Sequence, residues 1–112
     1  MRHISAILVI FLVSTPVLSD AGWLKLTGPE ITQKLSNASL VYDGARQSFF
    51  ESGRTLYDAG EESWGYWRVS GDRYCSQWPP HAVWECYDLE QRGEKLRFIS
   101  DYGTIYEAEY AK

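Results

Sequence analysis

The sequence predicts an all-β domain with one short N-terminal helix: an antiparallel meander of about eight strands that closes into a small up-and-down barrel. Turn-forming pairs that contain Gly or Pro recur along most of the chain. The short runs between them are rich in Tyr, Trp, Phe, Val and Ile, which favour strands. The two cysteines, Cys75 and Cys86, form an even pair that can clasp such a domain. A strongly curled open sheet plugged by the helix is the alternative.

The first residues have the pattern of a secretory signal peptide. Arg2 supplies a short basic start, and an apolar run covers residues 4–18. The alternative is an uncleaved membrane anchor, but the run is shorter than the roughly 20 residues that span a bilayer, and Pro16 interrupts it near its end. We therefore assign residues 1–19 to a signal peptide and expect no transmembrane segment after its removal.

Cleavage is expected after Ser19 or Ala21, and residues 22–112 are expected to form one small domain in the periplasm or outside the cell. In these oxidising compartments Cys75 and Cys86 are expected to be joined, because a catalytic thiol would need a nearby base. The net charge of −4 argues against a nucleic-acid partner, which requires clustered Lys and Arg. No cofactor motif is present, so no cofactor is expected.

One stretch has the pattern of a helix. Residues 27–30 (Thr-Gly-Pro-Glu) would begin it, since Pro and Glu are favoured in a first turn. Ile31 and Leu35, four residues apart, would share its buried face, and Ser36-Asn37 would end it. A helix of about two turns depends on packing for its stability.

The remaining residues divide into strands at the turn signals. Each run is a few residues long and bounded by Gly, Pro, Asn or Asp, as in an antiparallel meander. The predicted strands are roughly 39–43, 46–51, 54–58, 64–70, 73–78, 83–90, 95–100 and 104–110.

Turn chemistry predicts the strand registers. A two-residue type II′ turn at Gly71-Asp72 pairs Val69 with Tyr74, and a Cys75–Cys86 bridge between neighbouring strands then sets Tyr74 opposite Tyr87. Further cross-strand pairs follow from the other turns: Asp88–Arg97 and Glu90–Lys95 across Arg92-Gly93, Phe98–Tyr106 across residues 101–103, Phe49–Leu56 across Ser52-Gly53, and Tyr57–Trp64 across residues 59–62.

These registers predict two faces, and a slip of one residue would exchange them. The inner, apolar face is expected to carry Trp67, Val69, Tyr74, Trp78, Val83, Tyr87, Leu89, Leu96, Phe98, Tyr106 and Ala108. The outer, solvated face is expected to carry Arg73, Cys75, Cys86, Asp88, Glu90, Lys95, Arg97, Glu107 and Glu109.

Residues 65–87 carry a recognisable pattern: Gly65-x-Trp67-x-Val69-x-Gly71-Asp72-x-x-Cys75, then Trp78-Pro79-Pro80, then Cys86-Tyr87. This pattern resembles a family of small secreted bacterial proteins of unknown function. The upstream Leu-Thr-Gly-Pro-Glu-Ile and Phe-Phe-x-x-Gly-Arg-Thr segments are also similar to that family. The resemblance implies export and a compact domain, and it transfers no activity and no catalytic residue.

Few residues suggest catalysis or metal binding. His81 is the one His outside the signal peptide, and a zinc site normally needs three or four ligands, so no metal is expected. No nucleophile elbow or phosphate loop is present. Glu85 is expected on the apolar face opposite Ser100, where burial could raise the pKa of its carboxyl; a structural role is favoured over a general acid.

Aromatic residues provide the most informative candidate site. Phe50, Tyr57, Trp64, Tyr66 and Trp84 are expected on one part of the outer face, next to a stiff Pro-Pro turn. The alternative is that the N-terminal segment, with Trp23, folds over this patch. The predicted ligand- or partner-binding residues are Trp64, Tyr66, Trp78, Pro79, Pro80, His81 and Trp84.

Three functions are compatible with this site. The first is a non-catalytic binding module for a protein or small ligand in the cell envelope. The second is a periplasmic inhibitor of an envelope hydrolase that acts through its N-terminal arm or a loop, an analogy at the level of fold. The third, and least favoured, is a small enzyme that uses a perturbed carboxylate such as Glu85.

Overall fold

The computed structural model describes residues 21–112, so the predicted signal peptide lies outside the described residues. The prediction of a β-barrel with one short helix and one disulfide is confirmed. The elements in chain order are β1 (Leu24–Lys25), α1 (Gly28–Leu35), β2 (Ser39–Tyr42), β3 (Ala45–Phe49), β4 (Arg54–Asp58), β5 (Glu62–Ser70), β6 (Arg73–Gln77), β7 (Glu85–Arg92), β8 (Lys95–Ser100) and β9 (Ile105–Tyr110).

Strands β2 to β9 form a closed antiparallel ring. Each pairs with its neighbours in the chain, and β9 returns to pair with β2 through Leu40–Tyr110 and Val41–Glu109. The closed barrel is therefore found rather than the curled open sheet. Closure pairs the outer edges of β2 and β9 with each other, which an open sheet of the same strands would leave exposed.

Helix α1 begins as its sequence predicts. Thr27 forms a capping box with Glu30: the Thr27 backbone N–H donates to the Glu30 carboxylate at 3.0 Å, and these hydrogen bonds lower the pKa of Glu30. Ile31 and Leu35 are fully buried on the inner side of the helix. The short helix is thus fixed by its cap at one end and by core contacts along one face.

The helix closes one end of the barrel, which we call the plugged end. The Gly28 backbone N–H donates to the Asp72 carboxylate at 2.8 Å beside the β5–β6 turn, and the Tyr110 hydroxyl donates to the Lys34 carbonyl at 3.1 Å. The other end, which we call the open end, carries the turns at residues 43–44, 59–61 and 101–103 and the long β6–β7 loop.

The disulfide sets the predicted register between β6 and β7. Cys75 lies opposite Cys86 with a Cα–Cα distance of 4.0 Å, and Tyr74 lies opposite Tyr87. The expected pairings across Gly71-Asp72 and across residues 101–103 are also confirmed, since Val69 pairs with Tyr74 and Phe98 with Tyr106. The inner face predicted for these strands is largely buried, with two exceptions. Val83 is 69% exposed because it lies in the β6–β7 loop and not in a strand, and Tyr106 is 50% exposed near the end of β9.

The predicted register between β7 and β8 is wrong by two residues. Arg97 pairs with Glu90 instead of Asp88, and Lys95 pairs with Arg92 instead of Glu90. The connection is a two-residue turn whose first residue, Gly93, has a positive φ of 59°. A shift of two leaves each side chain on its expected face, so the error changes partners but not the interior.

The predicted register between β3 and β4 is wrong by one residue, which has a larger effect. Phe49 pairs with Thr55, so Thr55 faces inward and Leu56 is half-buried on the outside. The turn has three residues and ends in Gly53 at φ 91°. Thr55 is completely buried, and its hydroxyl donates to the Ser48 carbonyl at 2.8 Å, so burial leaves no unpaired polar group.

The slip continues into the next hairpin. Tyr57 pairs with Ser63, where the sequence predicted Trp64. Tyr57 therefore faces the interior of the barrel, and its predicted place in an outer aromatic patch is wrong. Trp64 keeps its expected outward direction.

The N-terminal segment covers a charged part of the outer face. Strand β1, which the sequence did not predict, pairs with β7, and Trp23 is 2% exposed. The Arg97 Nε–Glu90 Oε1 pair, at 2.6 Å, is buried beneath it, and the Arg97 guanidinium lies 4.5 Å from the Trp23 ring centroid. The expectation that Glu90 and Arg97 are solvated is therefore wrong.

We expect Glu90→Ala to lower the free energy of unfolding by about 3 kcal/mol, because it leaves the buried Arg97 guanidinium without its carboxylate. Glu109→Ala is the matched control: the Lys95 Nζ–Glu109 Oε1 pair is 3.7 Å apart and exposed, so its loss should change stability by less than about 1 kcal/mol. Urea denaturation followed by fluorescence measures both. Equal effects of the two substitutions would contradict the assignment.

We expect removal of the disulfide by Cys75→Ala with Cys86→Ala to lower stability by about 3 kcal/mol, because a cross-link over 11 residues restricts the unfolded chain. Urea denaturation of the double variant, with reduced native protein as its control, measures the change. A native-like midpoint in both samples would show that register is held by the strands alone.

Candidate functional site

A cavity of about 570 Å³ occupies the open half of the barrel. Small side chains create it: Ser63 and Ser76 face inward where a filled barrel would carry larger apolar residues. Gly65 lies between them, and a Cβ at this position would stand 2.6 Å from Cε3 of Trp78. The missing side chain at Gly65 lets the Trp78 indole lie over β5 and form one wall of the cavity.

The wall around Trp78 is aromatic and stiff. Tyr57 meets the Trp78 ring edge-to-face at 6.0 Å, and Trp64, Pro79, Pro80 and His81 continue this side to the rim. The loop is braced internally, since the His81 backbone N–H donates to the Trp78 carbonyl at 2.9 Å. This wall is therefore held in place before any ligand arrives.

The opposite wall is also aromatic. Tyr87 contacts Phe98 at 6.5 Å and Tyr106 at 6.2 Å, both edge-to-face. Phe98 is 3% exposed, whereas Tyr106 is 50% exposed at the rim. The two walls together make a funnel of rings that widens toward solvent.

The floor is polar but internally satisfied. The Tyr42 hydroxyl donates to Gln47 Oε1 at 2.9 Å, and Gln47 Nε2 donates to the Thr55 hydroxyl at 3.0 Å and lies 3.4 Å from the Tyr74 hydroxyl. Because these groups pair with one another, the floor presents mainly ring surface to the cavity.

The cavity is lined without a carboxylate, an ammonium or a guanidinium. Burial raises the pKa of Tyr42 and of Tyr74 well above the usual tyrosine value, and it raises the pKa of Tyr87 to about 12. These hydroxyls therefore stay protonated at physiological pH. A carboxylate does stand at the rim, where Glu85 accepts a hydrogen bond from the Tyr87 hydroxyl at 3.1 Å.

The predicted binding residues divide into two groups. Trp78, Pro79, Pro80 and His81 line the cavity, and Trp64, which points outward from β5, reaches only its rim. Tyr66 and Trp84 lie on the outer wall, where the Arg54 guanidinium is 5.4 Å from the Tyr66 ring centroid and the Arg68 guanidinium 4.0 Å from that of Trp84. The structure thus separates an interior site from an outer aromatic stripe.

The N-terminal segment does not bury the outer stripe. Phe50, Trp64 and Tyr66 remain 38%, 46% and 42% exposed, because β1 and Trp23 lie along β7 instead. Sequence reasoning missed the inward tyrosines of the first strands, Tyr42 and Tyr57, together with Gln47 and Ser63. A three-residue turn ending in Gly53 is the signal that could have revealed them, because it sets the correct inner face of β4.

The carboxylate suggested for an enzyme does not support catalysis. Glu85 is exposed at the open end, not buried opposite Ser100, because Ser100 pairs with Tyr87. Within residues 21–112 no group of three or more His, Cys, Asp or Glu side chains could hold a metal ion. Nor does this part of the chain contain a helix long and apolar enough to span a membrane.

Comparison of the chain with known protein families, curated proteins and solved structures finds no match. The resemblance to small secreted bacterial proteins therefore stays a prediction. The architecture is a closed eight-stranded antiparallel barrel, plugged by a helix at one end and hollow at the other.

We expect stability to fall as pH rises from about 10 toward 12, the interval between the ordinary tyrosine pKa and that of Tyr87. A raised pKa in the folded state means that the unfolded chain ionises first, so this stabilisation is complete below pH 10 and is lost above it. Tyrosinate absorbance and thermal melts measure the effect. Tyr87→Phe should weaken the pH dependence, whereas the exposed Tyr102→Phe should not; a flat melting temperature up to pH 12 would contradict the burial.

Proposed function

We propose that this protein is a non-catalytic binding barrel that takes a small organic ligand into the cavity at its open end. The observation that supports this proposal is a cavity of about 570 Å³. Aromatic rings line two of its sides, and the polar groups at its floor are hydrogen-bonded to one another. Ligand sites are commonly concave, mostly apolar and of this size, and the mouths of β-barrels are a frequent place for them.

The shape of the cavity favours a small molecule over a protein partner. Most of the rings that line it, among them those of Tyr57, Tyr87 and Phe98, face the interior of the barrel. A space of about 570 Å³ can hold a small molecule but not a folded protein. Free hydrogen-bonding groups lie near the rim: the side chains of Tyr57, Ser63 and Trp78 make no hydrogen bond within the described residues. A ligand would therefore bury its apolar part and pair its polar part at the rim.

The compartment proposed for this binding is the periplasm or the extracellular medium. The Cys75–Cys86 bridge is compatible with an oxidising compartment, where such bonds persist. Together with the predicted signal peptide, it supports a protein that binds its ligand outside the cytoplasm.

Uptake can be tested with phenylnaphthylamine, an uncharged probe that fluoresces in apolar surroundings and accepts energy from Trp64 and Trp78. We expect native protein to bind it, and Ser63→Phe to weaken binding at least about tenfold, because the new ring would occupy the cavity. Glu62→Phe is the matched control, since it adds the same ring on the outer side of the same strand.

The two variants also separate the cavity from the outer stripe. Binding that survives Ser63→Phe but falls in Tyr66→Ala would locate the probe on the outer wall and contradict the proposal. Absence of binding to native protein, with melting curves showing that it is folded, would do the same.

A further inference from the structure

We propose that the ligand of this cavity is an organic cation, of the class of quaternary ammonium compounds, held by the faces of its aromatic rings. This inference rests on the proposed function, since it names the ligand class for the same site. Three features of the described residues support it: the number of rings, the charges around them, and whether an arginine lies over each indole ring.

The rings form a box rather than a single platform. Trp78 and Tyr57 stand on one side, and Tyr87, Phe98 and Tyr106 on the other. The face of an aromatic ring is negative, so a cation among several faces is attracted to each of them. A quaternary ammonium group suits such a box because it is weakly hydrated and needs no hydrogen-bond acceptor, and the floor, whose groups pair with one another, offers few.

The surrounding charges favour a cation over an anion. No Lys or Arg lines the cavity, and His81, its one basic side chain, is exposed at the rim. The Glu85 carboxylate stands at the same rim, beside Tyr87. A buried anion would lose its hydration here without gaining a counter-charge, whereas a cation gains both the ring faces and the nearby carboxylate.

Most of the other tryptophans carry an arginine over the indole ring. The Arg54 guanidinium lies 4.9 Å from the ring centroid of Trp64, and the Arg68 guanidinium lies 4.0 Å from that of Trp84. The Arg97 guanidinium lies 4.5 Å from the ring centroid of Trp23. Trp67 is buried in the core. Among the described residues Trp78 is the partly exposed indole over which no arginine lies, and its ring borders the cavity.

The test compares choline with its neutral isostere dimethylbutanol, in which a tert-butyl group replaces trimethylammonium, and with anionic dimethylbutanoate. Each is titrated into the full domain with calorimetry and by displacement of phenylnaphthylamine. We expect choline to bind about tenfold tighter than the alcohol, and the carboxylate to bind most weakly. An alcohol that binds as well as choline, or choline that shows no binding, overturns the inference.

Two variants assign the selectivity to its source. Tyr106→Leu should reduce the choline-to-alcohol ratio about threefold, whereas Tyr106→Phe should keep it, because the ring face and not the hydroxyl attracts the cation. Glu85→Gln should also reduce the ratio while leaving affinity for the alcohol unchanged. Ratios that do not move in Tyr106→Leu and Glu85→Gln count against the box.

Binding of phenylnaphthylamine tests the cavity, and the preference for choline tests the ligand class. Binding of phenylnaphthylamine without a preference for choline overturns the ligand class and leaves the binding function standing. Failure of phenylnaphthylamine to bind overturns both.

Discussion

The pairing of Cys75 with Cys86 is the constraint on which the interior of this barrel depends. Side chains alternate across a strand, so fixing one pair of residues on β6 and β7 fixes which of their side chains face inward. Tyr74, Ser76 and Tyr87 then face the interior together. The bridge holds this register beside the longest loop of the open end, where hydrogen bonding between the two strands stops after a few residues.

Turn geometry explains both what the sequence could predict and where prediction failed. The turns at Gly71 and at residues 101–103 were interpreted correctly, the first with Gly leading two residues, the second with Gly ending three. The same two rules describe Gly93 and Gly53, where the prediction placed the turn differently. The position of a glycine in the sequence does not show whether it begins a two-residue turn or ends a three-residue turn. The choice depends on which strand register gives the more stable packing of the whole barrel.

The β3–β4 hairpin shows why the local sequence pattern could not determine the strand register. An apolar preference would turn Leu56 inward, yet Thr55 takes that place, because its hydroxyl joins the Gln47 network and the Ser48 carbonyl. Satisfied hydrogen bonds compensate for the lost apolar burial. The N-terminal strand was missed for a related reason, since two residues of pairing and one tryptophan over a buried ion pair leave no periodic signal.

The candidate site was predicted only in part, because it depends on both a rigid aromatic loop and an unfilled space between strands. The Trp78–His81 loop is visible in sequence through its prolines and rings, and it does form a wall of the cavity. The empty space itself arises from small residues on two neighbouring strands, Ser63 and Gly65 on β5 and Ser76 on β6, whose register was predicted correctly. What the sequence did not reveal is the inward direction of Tyr57, which faces this space from β4.

The two halves of the barrel differ in how the interior is filled, and this difference supports the proposed binding function. At the plugged end Leu40, Leu89 and Leu96 are fully buried and α1 completes the packing. At the open end a Leu at Ser63 or Ser76 would bury further apolar area and stabilise the fold, by about 0.8 kcal/mol for each methylene. The chain instead keeps those positions small and surrounds them with rings braced by their own contacts, which is the arrangement expected when the last component of the core is supplied by a ligand.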